Sequence, residues 1–367
     1  MTENFLTDVN TQSWANGRHE VQCVNVIYET SDVYTFCFKS TAPVMHFYKP
    51  GQFVTFELEI GSNQVFRSYT ISSSPSVPYS FSVTIKRIPG GEVSNWMHDN
   101  VKVGDILVIH GPTGNFNCFD IVSEKVLMLS GGVGITPIMS MVRWWNDTSA
   151  AVDINFIHSA RTPRDIIYYR ELKMMDARLD NFNLNIICQR YENGESWNGY
   201  SGFLDIEKLR IMAPDFLQRT VFCCGPAVYM EAVRNMLQEA GFDMANYHEE
   251  SFGMPPVAVE AIQDAQQQAE DNAAIDIDTD DLLNVEFLET GKSIKIQPGQ
   301  TIHTAAAMVG LHIPKGCGMG MCGTCLVKKT KGDVEMAHNG GITDEDLEDG
   351  YVLSCCSVPL TDVAVEY

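Results

Sequence analysis

The C-terminal end of the chain carries a cysteine pattern that few folds can accommodate. Cys317-Gly318-Met319-Gly320-Met321-Cys322-Gly323-Thr324-Cys325 has the form C-x4-C-x2-C, and Cys355 follows thirty positions after Cys325. This spacing is the one by which a loop and a distant thiolate hold a [2Fe–2S] cluster. Four thiolates are needed, because each iron takes two protein sulfurs beside two bridging sulfides. The close spacing lets one loop wrap the cluster, and the glycines let backbone N–H groups approach the sulfides. Zinc sites favour two close pairs with short spacers, so the x4 spacing and the lone distant partner disfavour zinc. The other six of the 11 cysteines are scattered (Cys23, Cys37, Cys118, Cys188, Cys223, Cys224), and Cys356 adjoins Cys355. A clustered, odd set in a chain without a secretory signal points to metal rather than disulfides.

The 367 residues predict two or three domains. From about 20 to 115, short alternating runs (Val21 to Ile27, Tyr34 to Phe38, Phe53 to Leu58, Ser80 to Lys86) are separated by turn residues. Such spacing predicts an antiparallel barrel or sandwich. Near residue 124 the pattern changes. Apolar strands at Val126 to Leu129, Ile154 to Ile157, Leu184 to Cys188 and Val221 to Cys224 alternate with helical stretches at Pro137 to Trp145, Ile166 to Leu179, Ile206 to Ala213 and Ala227 to Ala240. That alternation predicts a parallel sheet covered by helices. Residues 255–284 hold eight acidic residues and no Lys or Arg; they read as an acidic linker, against the alternative of an ordinary surface helix. Strand character returns at Val285 to Leu288 and Ser293 to Ile296, with a helix expected over Thr301 to Val309. This last part has about 80 residues, and a metal centre would help to hold so small a core together.

Four strings in the first two-thirds carry chemistry. In Arg67-Ser68-Tyr69-Thr70, a strand places Arg67 and Tyr69 on one face, where Arg can pair with a phosphate and Tyr can stack on a flat ring. Gly90-Gly91-Glu92-Val93-Ser94 is a glycine turn entering a helix, whose backbone N–H groups suit a pyrophosphate. Ser130-Gly131-Gly132-Val133-Gly134-Ile135-Thr136-Pro137 joins the first apolar strand to a helix, and Cys223-Cys224-Gly225-Pro226 ends a later strand. The glycine loop lacks the spacing of the Rossmann fingerprint.

Together these strings resemble the ferredoxin–NAD(P) reductase family with a plant-type ferredoxin fused at its C-terminus. RSYT is similar to the family's flavin motif, GGEVS to its pyrophosphate motif, and Gly111-Pro112-Thr113-Gly114-Asn115-Phe116 to the string that closes the flavin domain. Gly350-Tyr351-Val352-Leu353-Ser354-Cys355 resembles the plant-type ferredoxins around their fourth ligand, which favours Cys355 over Cys356. The resemblance implies an antiparallel β-barrel flavin domain over 16–120 and an α/β parallel-sheet nucleotide domain over 121–253. A linker over 254–284 and a β-grasp-like α+β [2Fe–2S] ferredoxin domain over 285–367 complete it. It implies FAD, NADH and a [2Fe–2S] cluster as cofactors. Arg67, Ser68, Tyr69, Thr70, Gly91, Val93 and Ser94 would serve the flavin, with Ser72 or Thr70 near its N5. Gly132, Gly134, Thr136, Gly225 and Pro226 would serve the nucleotide. Cys224 would sit near the nicotinamide and Phe252 over the flavin. The metal ligands would be Cys317, Cys322, Cys325 and Cys355. NADH is implied over NADPH, although Arg161 and Arg190 are placed to meet a 2′-phosphate.

Within that family the chain is similar to the reductases of Rieske-type monooxygenases that demethylate quaternary amines such as glycine betaine. The expected partner is therefore a Rieske-type oxygenase. The alternatives are an NADH oxidoreductase serving the hybrid-cluster protein, or a non-enzymatic iron–sulfur carrier. The net charge of −22 excludes a nucleic-acid binder, since duplex affinity rests on Lys and Arg. No apolar run is long enough for a membrane span, and no signal peptide precedes the barrel, so a cytoplasmic location is expected. From Val285 onward there are 6 basic and 11 acidic residues, five of the latter within Asp344 to Asp349. An acidic electron-exit domain suits a basic acceptor; the other reading of that run is a helix with acidic residues in its first turn.

Overall fold

Short, largely alternating runs between residues 17 and 113 make one antiparallel sheet. Strands β1 (Gly17–Tyr28), β2 (Val33–Ser40), β3 (Phe53–Ile60), β4 (Asn63–Thr70), β5 (Phe81–Lys86) and β6 (Ile106–Thr113) pair in the order β4-β3-β6-β1-β2-β5. Just past β4, Ile71 bridges Val83 of β5, and the Ser72 amide donates to the Ser82 carbonyl at 2.8 Å. The two ends of the sheet thus meet and the sheet curls into a barrel. Phe36, Phe38, Phe56, Phe81 and Ile109 fill its inside. Helix α1 (Glu92–Asn100) follows the glycine turn and buries Val93, Ser94 and Met97. The computed structural model describes residues 12–191, 196–250, 282–311, 313, 320, 323, 325–338 and 342–367. It divides the chain into two compact units, residues 1–64 with 69–252 and residues 65–68 with 253–367.

The second sheet of the first unit is parallel. Strands β7 (Lys125–Gly131), β8 (Asp153–Ala160), β9 (Phe182–Cys188), β10 (Tyr200–Ser201), β11 (Thr220–Cys224) and β12 (Tyr247–Glu250) pair in the order β10-β9-β8-β7-β11-β12. The central strands are apolar on both faces because helices cover both. Val126, Met128, Phe156 and Phe222 face α2 (Ile135–Asp147) and α3 (Tyr169–Arg178), while Leu127, Leu129, Ile157 and Val221 face α4 (Ile206–Met212) and α5 (Ala227–Glu239). The chain order reverses between β7 and β11, and ligands of such sheets bind at the carboxyl ends of the strands beside that switch point. One helix begins later than the sequence periodicity suggests. Ile166, Ile167 and Tyr168 are buried core residues rather than a first helical turn, and Tyr168 adopts a left-handed backbone (φ 56°) before α3 starts.

The second unit holds a five-stranded mixed sheet. Strands β13 (Leu283–Phe287), β14 (Lys292–Ile296), β15 (Leu326–Lys331), β17 (Tyr351–Leu353) and β19 (Val363–Glu366) pair in the order β14-β13-β19-β15-β17. A separate hairpin pairs β16 (Val334–Met336) with β18 (Ser357–Pro359). The β13–β19 pair is parallel and its neighbours are antiparallel, the mixed pattern of a β-grasp-like α+β domain. Helix α6 (Ile302–Met308), capped by the Thr301 side chain, buries Ile302, Ala305 and Ala306 in the core of this unit. Helix α7 (Asp344–Glu348) starts with a capping box between Thr343 and Asp346, so one carboxylate of the acidic run has a local structural role. Among the described residues no helix is long and apolar enough to cross a membrane.

Gly134 shows how tightly the glycine loop after β7 is seated. A Cβ there would lie 2.3 Å from the Cys224 carbonyl oxygen and 2.5 Å from the Gly225 nitrogen. Both obstacles are backbone, so neither can swing away. Gly134→Ala is therefore expected to cost about 1–3 kcal/mol, read as a lowered thermal midpoint of the first unit. An unchanged midpoint would mean that the loop is free to lift off β11.

Candidate functional site

The barrel-side residues lie at the end of β4 and the start of α1. Arg67 is exposed, Ser68 and Tyr69 are half-buried, and Thr70 is buried. The Tyr69 ring meets Phe56 edge-on at 6.0 Å between centroids, which holds it upright on the barrel. The glycine turn is tied to the helix it starts. The Ile88 amide donates to Ser94 Oγ at 3.1 Å, and Asn95 Nδ2 donates to the Ile88 carbonyl at 2.9 Å. Gly91 caps α1 without a side-chain acceptor, so the first backbone N–H groups of the helix are left to an anion. Ser72 lies deeper. Its hydroxyl is within hydrogen-bond distance of the Ser82 carbonyl (3.2 Å) and Thr84 Oγ1 (3.0 Å), inside the barrel.

The nucleotide-side residues converge at the carboxyl ends of β7 and β11. Gly132 has φ +53° and nothing within 4 Å of its Cβ position, so the loop is open toward solvent there. The Thr136 hydroxyl donates to the Val133 carbonyl at 3.1 Å and closes the loop onto α2. Gly225 and Pro226 form the turn into α5, whose N-terminus also lacks a side-chain cap. Arg161 and Arg190 follow β8 and β9, and the Arg190 amide donates to the Arg161 carbonyl at 3.0 Å. The Arg161 guanidinium is already paired with Asp32 (3.2 Å) and Asp165 (3.4 Å).

Strand register brings four polar side chains into one row. His158 pairs with Ser130, Ser130 with Cys224, and Cys224 with Glu250, across β8, β7, β11 and β12. Paired residues of parallel strands point to the same face. His158 Nδ1 meets Ser130 Oγ at 2.8 Å. Burial pushes His158 down to about 4, so its ring is neutral. Burial, and next the Glu250 carboxyl, push the Cys224 thiol well up, so it stays protonated. Burial also pushes Glu250 up to about 8, although a hydrogen bond from Thr70 works the other way. Glu250 Oε2 and His158 Nε2 are buried without a hydrogen-bond partner among the described residues. Orphaned polar atoms at the end of a row that meets Thr70 fit a bound polar ring. Glu250 was not among the residues singled out in the sequence. Its signal was a carboxylate inside His248-Glu249-Glu250-Ser251-Phe252, one strand over from Cys224. Phe252 lies outside the described residues.

A cleft of about 1140 Å³ opens elsewhere on the first unit, bordered by Glu29, Cys37, Ser73, Arg143, Tyr168 and Glu171. None of the flavin or nucleotide residues expected from the sequence lines it.

In the second unit Cys325 and Cys355 are buried in one apolar cluster, 1% and 8% exposed. The Ser354 amide donates to the Cys325 carbonyl at 3.0 Å, so the two cysteine segments are held side by side. Ser354 Oγ is buried and lacks a partner among the described residues, and Gly320 and Gly323 take φ near +70°. Buried thiols, an orphaned hydroxyl and left-handed glycines fit a sulfide-rich cluster. Cys317 and Cys322 lie outside the described residues. A Cβ on Gly320 would stand 2.7 Å from Cys356 Sγ, so Cys356 packs against this loop.

Residues 20–118 match the oxidoreductase FAD-binding domain, residues 128–235 the oxidoreductase NAD-binding domain, and residues 286–360 the 2Fe-2S iron-sulfur cluster binding domain. The chain is 61% identical to the glycine betaine monooxygenase reductase subunit of Pseudomonas aeruginosa (strain UCBPP-PA14), over 100% of both chains. It is 39% identical to the stachydrine N-demethylase reductase subunit Stc4 of Rhizobium meliloti (strain 1021), over 98% of this chain and 100% of that one. Its fold is similar to phthalate dioxygenase reductase (TM-score 0.58, 19% identity), over 96% of this chain and 98% of that one. The chain belongs to the family of monooxygenase reductase subunits, oxidoreductases in which FAD-binding, NAD-binding and [2Fe–2S] domains follow one another in a single polypeptide.

Proposed function

We propose that this chain supplies electrons from NADH to a Rieske-type oxygenase that demethylates glycine betaine. The observation that carries this reading is the full-length 61% identity to a reductase subunit with that substrate in its name. The proposed partition is a flavin domain over 16–120, a nucleotide domain over 121–253, a linker over 254–284 and a ferredoxin domain over 285–367. A cytoplasmic location belongs to the same reading. Cys23, Cys37, Cys118, Cys223 and Cys224 are thiols, the form that a reducing compartment maintains.

Bound FAD would supply the exchange between the two-electron hydride of NADH and a [2Fe–2S] cluster that accepts one electron at a time. Our assignment gives the chain's residues the following work. Arg67 and the N-terminus of α1, through Gly91, Val93 and Ser94, hold the flavin's phosphates, and Ser68 lies on the same strand. Tyr69 stacks on its ring. Gly132, Gly134, Thr136, Gly225 and Pro226 shape the seat of the nucleotide. Cys224 and Glu250 form the buried floor beneath the nicotinamide, neutral at physiological pH and closed to water. Thr70, hydrogen-bonded to Glu250, is the barrel hydroxyl that we assign to the place beside the flavin, which the sequence left open between Ser72 and Thr70. Cys317, Cys322, Cys325 and Cys355 ligate the cluster. The pairing of Arg161 with Asp32 and Asp165 supports NADH, because those carboxylates repel a 2′-phosphate.

Reconstitution tests the reading. With NADH, O₂, glycine betaine and the oxygenase, the chain is expected to drive release of formaldehyde. NADH oxidation with an artificial acceptor but none through the oxygenase would exclude that acceptor. Cys355→Ser is expected to abolish transfer to the oxygenase by more than about a hundredfold, while NADH still bleaches the flavin; retained transfer would remove Cys355 from the ligand set. Glu250 makes a pH prediction. Its carboxyl is raised to about 8 in the folded chain, so it contributes stability below the ordinary carboxylate range that is lost as pH rises to about 8. Thermal midpoints between pH 5 and 9 are expected to fall less steeply in Glu250→Gln. Parallel slopes would show that Glu250 is ionised in the fold.

A further inference from the structure

The segment Ile71–Ser76, directly after the Arg67–Thr70 strand, is gripped from the nucleotide half of the first unit by three side chains and a tyrosine ring. Arg143, on α2, donates Nη1 to the Ser72 carbonyl at 2.5 Å. Its Nε and Nη2 donate to the two Glu171 oxygens at 2.8 and 2.6 Å. The guanidinium lies 4.5 Å above the Tyr168 ring. One turn earlier on α2, Ser140 Oγ donates to the Ser73 carbonyl at 2.7 Å. At the end of α2, Asp147 accepts from Ser76 Oγ at 2.5 Å. Tyr168 reaches into the barrel, where its hydroxyl bonds Thr84 Oγ1, and Thr84 in turn lies 3.0 Å from Ser72 Oγ.

Two observations set this apart from ordinary core packing. The clamp is polar, with a guanidinium only 17% exposed, and it lines the 1140 Å³ cleft, with Tyr168 reaching it from the edge of the apolar core. It also holds Tyr168 at φ 56°, a conformation that a bulky residue occupies only where its surroundings impose it. The helix that carries Arg143 is the one that the Gly132–Gly134 loop leads into. One rigid element therefore links the nucleotide loop to the backbone two residues beyond Thr70.

From this geometry we infer that Arg143 is a positioning residue for hydride transfer: by tying α2 to the Ser72 carbonyl, it fixes the end of the flavin strand against the Cys224–Glu250 floor. The inference rests on the flavin and nicotinamide seats assigned above. In the step it serves, the C4–H bond of NADH breaks, its electron pair and proton pass together to the flavin ring, and NAD⁺ is left. That transfer depends steeply on the distance between the two rings. Removing the clamp changes the distance without touching either ring.

The test compares Arg143→Met, Arg143→Lys and Tyr168→Phe in the full-length holoenzyme. Anaerobic stopped-flow gives the limiting rate of flavin bleaching and, from its concentration dependence, the Kd for NADH. Amide hydrogen exchange of the peptide over 70–78 gives a readout independent of turnover. Arg143→Met is expected to slow bleaching by about ten- to a hundredfold with Kd for NADH within about twofold, since it does not touch the nucleotide, and to speed exchange over 70–78. Arg143→Lys is expected to be intermediate, because one ammonium cannot serve the carbonyl and both Glu171 oxygens at once. Bleaching at the wild-type rate, or slowed only in proportion to lost FAD, would overturn the inference. If Arg143→Met does not fold, Tyr168→Phe and Arg143→Lys decide. Tyr168→Phe loses only the hydroxyl that bonds Thr84 beside Ser72; wild-type bleaching and exchange in both Tyr168→Phe and Arg143→Lys would equally overturn the inference. Failure of NADH to bleach the wild-type flavin would instead overturn the underlying assignment.

Discussion

Backbone-to-backbone contact between the loop after β7 and the end of β11 is the constraint on which the nucleotide half depends. At Gly134 the two segments approach so closely that no side-chain carbon fits between them. That contact places Cys224 beside the glycine loop, and strand register then places Ser130 and Glu250 on either side of Cys224. Because these positions lie at strand ends, deep in a sheet covered on both faces, their side chains are dry. Dryness holds the Glu250 carboxyl and the Cys224 thiol in their neutral forms. A neutral, polar, water-free floor suits a reaction in which hydride must pass to one acceptor and not to solvent protons.

The barrel half meets this floor through a single strand end. Arg67 and Tyr69 share one face of β4 and Thr70 takes the other, so one strand carries an exposed cation outward and a hydroxyl inward to Glu250. The polar clamp of Arg143, Ser140 and Tyr168 on the next residues joins two sheets that hydrophobic packing alone would leave free to slide. Apolar contacts are non-directional; hydrogen bonds to specific carbonyls fix a register. The second unit solves a different problem. Its small core is completed by buried thiols, with Cys325 and Cys355 drawn together by the Ser354–Cys325 backbone bond.

What the sequence made legible was local. The glycine turn before α1 and the strand–glycine–Thr-Pro–helix run are contiguous strings, and each folds into the element its pattern predicts; most of the C-x4-C-x2-C loop lies outside the described residues. The alternating runs gave the barrel and the apolar runs gave the parallel sheet, because those patterns report which faces are buried. What stayed hidden was made by register or by contact between distant segments. Glu250 is 26 residues from Cys224 in the chain but adjacent to it across β11 and β12. Arg143 reads as an ordinary helical cation until α2 packs on the barrel. Ile166 to Tyr168 read as helix because their apolar spacing allowed it; their burial in the core holds them in a turn that ends at the left-handed Tyr168. The acidic run at Asp344 reads either as a docking face or as the acidic first turn of a helix; it does start a helix, with Asp346 in its capping box.

The central claim is that one polypeptide collects a hydride and dispenses single electrons. An anaerobic titration with NADH, followed by visible absorption and electron paramagnetic resonance, tests it most directly. Bleaching of the flavin bands is expected together with a cluster-centred spin signal, the chain taking up three electrons at completion, two at FAD and one at the cluster. Flavin that bleaches with NADH while the cluster stays oxidised, in protein shown to contain both, would contradict that claim.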